Sequence, residues 1–184
     1  MSNEKKIFYA AQSQIVIDTI SDKGEYIVKK KYIEQKYGEV ASVMLKAYDW
    51  FVNRLEKNVP KPDAAEYPVW LYEDPKYAKV HVSQRMIKLE IPCDEILEFD
   101  NRKWERVLSQ EYIGIDKDDE RAFEEKMRRQ GVDCGCKVFE NSFYPILKRD
   151  IEKSWDRLFD INEKSIVQAA SWIIKEEWIV DIFE

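Results

Sequence analysis

Apolar side chains recur along this chain with two different spacings, and the switches between them mark out its elements. Ile7 to Ala11 is a short apolar run that ends at Gln12 and predicts a first strand. Ser13 is placed to cap a short helix whose apolar positions are Val16, Ile17 and Ile20, and Gly24 ends it. From Glu39 to Asn58 the positions Val40, Val43, Met44, Ala47, Phe51 and Leu55 fall at helical spacing, with Pro60 and Pro62 beyond the end. Tyr67 to Tyr72 reads Y-P-V-W-L-Y; Pro68 lacks an amide proton, so the segment is expected at a sheet edge or strand entry. Ile87, Leu89 and Ile91 alternate with Lys88 and Glu90, the period of a half-buried strand, and Pro92 stops it.

Ile96, Leu97 and Phe99 then lead into a helix carrying Trp104, Val107 and Leu108. The acids from Asp116 to Glu120 open another helix, because carboxylates oppose the positive end of the helix dipole, and Gly131 closes it. Gly131 to Glu140 reads as a surface loop. Phe143 to Phe159 predicts a last helix with Ile146, Leu147, Ile151, Trp155 and Leu158 facing inward. Ile166 to Ile174 and Trp178 to Phe183 are β-branched and aromatic runs separated by Lys175, Glu176 and Glu177, the spacing of a C-terminal β-hairpin. Strand runs that bracket helices give an α+β class: one domain over residues 1–184, with a mixed or antiparallel sheet and several packed helices.

Composition supports a folded core: 45% of residues are hydrophobic, 36% are charged, and there are six tryptophans. The 36 acids against 30 bases leave a net charge of -6, so no nucleic-acid or membrane-surface signal is expected. The basic clusters Lys29 to Lys31 and Lys126, Arg128 and Arg129 have acids beside them and read as solvated faces. Cys93, Cys134 and Cys136 lack C-x-x-C spacing, and His81 is the single histidine, too few ligands for a zinc site. No apolar run has signal-peptide or membrane-spanning length. A cytoplasmic protein with reduced thiols is expected.

Candidate chemistry is sparse. His81 has no nucleophile placed beside it, and no Walker or G-x-G-x-x-G loop is present. Glu98 and Asp100 flank Phe99, where helix capping competes with a cation-ligand role. The set of interest is Gln12 at the end of the first strand, Tyr67, Trp104, Gln168 inside an apolar strand, and Glu177 at the entry of the last strand. An amide buried in an apolar strand requires a hydrogen-bond partner, from the protein or from a ligand.

Seven segments together carry a resemblance. They are FYAAQ ending at Gln12, Y-D-W-F at Tyr48 to Phe51, Y-P-V-W at Tyr67 to Trp70, L-E-I-P at Leu89 to Pro92, F-D…W at Phe99 to Trp104, K-S-W-D-R-L-F-D at Lys153 to Asp160, and V-Q-A…W…E at Val167 to Glu177. In order and over nearly the whole chain they resemble a bacterial domain-of-unknown-function family, number 3841. The chain departs from that pattern at Glu105, where a histidine usually stands, and at Ile173, where an acid usually stands. More remotely, the layout is similar to the ADP-ribosyltransferase fold. That resemblance implies NAD as the ligand, Glu177 as the carboxylate that holds the nicotinamide ribose hydroxyl and stabilises a cationic sugar transition state, and Gln12, Tyr67 and Trp104 around the nicotinamide. Two readings stand: a nucleotide-binding enzyme of this kind, or a non-enzymatic interaction or regulatory domain with a protein partner.

Overall fold

The computed structural model of the chain describes residues 4–38, 41–140 and 142–183, without the side chains of 33, 34, 36, 37 and 41–43. The chain divides into two compact units, one formed by residues 1–98 and 167–184 and the other by residues 99–166.

The first unit is built on a sheet. Strands β1 (Lys5–Ser13), β3 (Val69–Tyr72), β4 (Gln84–Pro92), β6 (Val167–Ser171) and β8 (Ile179–Phe183) pair antiparallel in the order β6-β3-β1-β4-β8. The boundary between the units runs through a further strand, β5 (Leu97–Asp100), after Glu98. A small second sheet pairs β2 (Glu25–Ile27) with β7 (Ile173–Lys175). Alternation decides the core. Phe8 and Ala10 of β1, Ile87, Leu89 and Ile91 of β4, Val69 and Leu71 of β3 and Ala169 of β6 share one face and are buried with Ile17 and Ile20 of helix α1 (Gln14–Lys23). Helix α2 (Lys30–Tyr37) follows β2, and helix α3 (Ala41–Asn58) packs Tyr48 and Phe51 on the other face of the sheet, edge-on to Trp70, with ring centroids 5.3 and 5.0 Å away.

The second unit is helical. It holds α4 (Asn101–Leu108), α5 (Lys117–Arg129), α6 (Gly135–Glu140), α7 (Pro145–Ser154) and a 3₁₀ turn over Trp155–Phe159. Asp116 caps α5 by accepting from the amides of Asp118 and Asp119, both at 2.9 Å, and Asp100 caps α4 by accepting from Arg102 at 3.0 Å. Phe139 stacks on Trp155 at 5.4 Å, and the Trp155 indole donates to the Glu111 carbonyl at 2.7 Å.

The α+β class holds, and several local expectations are refined. Gly24 ends α1 in the left-handed region at φ 75°, but Ser13 makes no side-chain cap bond. The start expected for α3 at Glu39 and Val40 lies outside the described residues. Of the two placements expected for Tyr67–Tyr72 the strand entry holds: Pro68 sits just ahead of β3, which lies between β6 and β1 and so is not an edge. The loop expected at Gly131–Glu140 contains α6, whose Val138 and Phe139 are buried. Ile146 does not face inward but is exposed, since Pro145 starts α7 there and the buried stripe is Leu147 and Ile151. The two C-terminal strands are joined by a tight 3₁₀ turn over Glu176–Trp178, and each arm ladders on a different partner, β7 on β2 and β8 on β4.

Candidate functional site

Cross-strand register assembles one row of chemistry in the first unit that no sequence segment contains. Gln168 of β6 lies opposite Tyr72 of β3, Tyr72 opposite Tyr9 of β1, Tyr9 opposite Lys88 of β4, and Lys88 opposite Asp181 of β8. Residues opposite one another share a face, so all five stand on the face away from the core made by Phe8 and Leu89. With strands about 4.8 Å apart, Gln168 and Lys88 are about 14 Å apart along the row. Tyr72, Tyr9 and Lys88 are half-buried. Gln168 is 2% exposed, and its carboxamide oxygen has no hydrogen-bond partner. A buried acceptor without a partner is costly. Lys88 makes no ion pair among the described residues. An amide, two phenols and an ammonium stand in line, with the Asp181 carboxylate opposite the ammonium at the end of the row.

The residues singled out from the sequence separate. Gln12 lies opposite Arg85 and three positions from Tyr9, so it belongs to the opposite sheet face from Gln168. Tyr67 is buried; its hydroxyl donates to Asp49 of α3 at 2.6 Å, and its ring stands edge-on to Tyr48. Trp104 is buried in the second unit, edge-on to Phe99 at 6.1 Å. Glu177 lies in the turn ahead of β8, exposed and without an ion pair among the described residues. Tyr9, Tyr72 and Lys88 were missed from the sequence, because strand parity is readable in one segment but register between segments is not.

The second unit carries two clefts that share Tyr112. One, of about 380 Å³, is lined by Lys126, Asp150, Lys153 and Arg157. Lys126 pairs with Asp150 at 2.6 Å, and the Arg157 guanidinium lies over the Tyr112 ring. Tyr112 stacks on Phe123 at 4.0 Å and donates to Asp119 at 3.0 Å; burial, and then that bond, push its phenol up from the usual tyrosine range. Asp119 also accepts from the Ile115 amide, which with the Tyr112 hydroxyl holds its carboxyl below the usual carboxylate range. The other cleft, of about 490 Å³, has Cys134 and Gly135 in its wall. Cys134 is bonded to Cys136 in a disulfide with Cα atoms 5.4 Å apart, and only Cys93 remains a free thiol. The pair was expected reduced; a separation of two residues at the turn into α6 holds them within bridging distance. Among the described residues no group of three or more His, Cys, Asp or Glu side chains is placed to hold a metal ion, and no helix is long and apolar enough to cross a membrane.

Compared with known proteins, the family model described as a domain of unknown function (DUF3841) matches residues 7–180. No curated protein and no solved structure matches the chain.

Proposed function

The chain belongs to the DUF3841 family over residues 7–180, and from that premise we propose that it is a nucleotide-binding domain of ADP-ribosyltransferase-like kind that takes NAD. The family's description assigns no activity, so the reading rests on one observation: the row that runs from the buried Gln168 amide, whose oxygen has no hydrogen-bond partner, through Tyr72 and Tyr9 to Lys88. In this reading Gln168 pairs with the nicotinamide carboxamide, the tyrosines flank the ring, and Lys88 meets the diphosphate. Glu177, exposed and uncommitted, takes the ribose-hydroxyl role.

A second reading, a non-enzymatic interaction or regulatory domain, draws support from the structural duties of Tyr67 and Trp104 and from the opposite facing of Gln12. Calorimetry with NAD, together with an assay for released nicotinamide, separates the two. The first reading expects saturable binding that Gln168→Met abolishes, and turnover that Glu177→Ala abolishes while binding persists. The absence of both binding and release in the parent protein overturns it.

A further inference from the structure

We propose that Cys134–Cys136 is a thiol–disulfide exchange site that takes small aminothiols from the cleft beside it. Three observations converge on it. The bridge spans two residues, so it closes a loop too short to remove much freedom from the unfolded chain, which leaves it little value as a structural staple. Its sulfurs are within reach of a reagent: Cys136 is exposed, and Cys134 is half-buried in the wall of the cleft of about 490 Å³. The residue between them is fixed. Gly135 is buried so close to the Gln110 backbone that an added Cβ would lie 1.9 Å from the Gln110 oxygen, and Gln110 is itself a non-glycine residue at φ 58°. Opening the bridge therefore leaves both thiols presented from an anchored turn.

The cleft sets the class of thiol. Glu111, Glu120, Glu124 and Asp133 line it against Arg106 and Arg128. Arg106 is already held by Glu111 and Glu120, and Asp133 by Lys137. Four carboxylates against two guanidiniums and the Lys137 ammonium leave one net negative charge, which favours a thiol with a protonated amine over one with a carboxylate. In the first step the thiolate attacks the Cys134 sulfur. A bond forms between the reagent and Cys134, the bond to Cys136 breaks, and the Cys136 thiolate leaves toward solvent and takes a proton from water. A second thiolate attacks the reagent's sulfur in the mixed disulfide; the bond to Cys134 breaks, the Cys134 thiolate leaves and takes a proton from water, and the oxidised reagent is released. Two thiols are oxidised to one disulfide, and the protein disulfide is reduced to two thiols.

The test uses the full chain in a Cys93→Ser background and follows bridge opening by mass spectrometry after alkylation. Cysteamine, 2-mercaptoethanol and mercaptoacetate are compared at equal thiolate concentration. Cysteamine is expected to open the bridge about tenfold faster than mercaptoacetate at low salt, with the gap closing near 1 M salt. A Cys136→Ser variant treated with cystamine, the disulfide of cysteamine, is expected to collect the mixed disulfide on Cys134 with release of one cysteamine. Equal rates for the three thiols, a bridge that opens only on denaturation, or a purified protein without the bridge overturns the proposal.

Discussion

Replacing Gln168 by methionine keeps the length of the side chain and removes its carboxamide. In the parent protein the Gln168 oxygen is buried without a partner, and an unsatisfied buried acceptor costs about 1–3 kcal/mol. The thioether needs no partner and fills similar volume, so ligand-free Gln168→Met is expected to be more stable by about that amount. For a chain of this length about 1 kcal/mol moves the midpoint by about 3 °C, so the expected rise is about 3–9 °C. The assay is thermal melting followed by circular dichroism, with and without saturating NAD. NAD is expected to raise the parent's midpoint and leave the variant's unchanged, because the group that recognises the carboxamide is gone. A variant less stable than the parent would show that the amide is satisfied within the fold. A variant that keeps the full NAD shift would sink the role of the row.

Three further outcomes follow from local geometry. Gly135→Ala drives a Cβ against the Gln110 carbonyl at 1.9 Å and is expected to lower stability by about 1–3 kcal/mol or more, read as an earlier denaturant midpoint; an unchanged midpoint refutes the contact. Cys134→Ser with Cys136→Ser removes a bridge that spans two residues. A three-residue loop in the chain-entropy relation gives a loss of only about 1.6 kcal/mol, and a loss several times larger would make the bridge structural. Acid should destabilise the protein through Glu66, Asp74, Asp119 and Asp133. Their carboxyls are held below ordinary values of 4.5 for Glu66 and 3.8 for the aspartates, first by the Lys30 amide, the Lys76 side chain, the Ile115 amide and the Lys137 side chain respectively. A depressed carboxyl contributes fully above its unfolded value and loses that contribution as pH falls through its folded value. Urea midpoints should therefore hold down to about pH 5 and fall below about pH 4, and a midpoint flat to pH 2 would contradict these contacts.

What was legible in the sequence was what depends on one segment. The alternation of Ile87, Leu89 and Ile91 gave β4, Asp116 and its following acids gave the start of α5, and Gly24 gave the end of α1. Gln168 stood out because a single amide interrupts an apolar run. What depends on two segments was hidden. Tyr72 becomes a neighbour of Gln168 only through the β3–β6 ladder, and Gln12 drops to the other face only once Tyr9 is paired with Tyr72. Pro68 allowed either an edge or a strand entry, and only the ladders on both sides of β3, which starts one residue later, decide for the entry. The bridge at Cys134 was hidden because spacing alone does not say whether two thiols are oxidised.

The helical unit interrupts the sheet unit as an insertion, and this orders events during synthesis. The amide of Asn101 donates to the carbonyl of Ile166 at 2.8 Å, so the insertion leaves and rejoins the chain at adjacent points. Its residues are contiguous and complete before translation reaches Val167. The sheet is not: β3 and β4 emerge with sides that wait for β6 and β8, and Tyr72 waits 96 positions for Gln168. Until those last strands arrive the nascent sheet has two raw edges open to pairing with other chains. Chains that stop after residue 166 are therefore expected to keep a folded helical unit and to aggregate through the unfinished sheet, with the amide-and-tyrosine row never assembled.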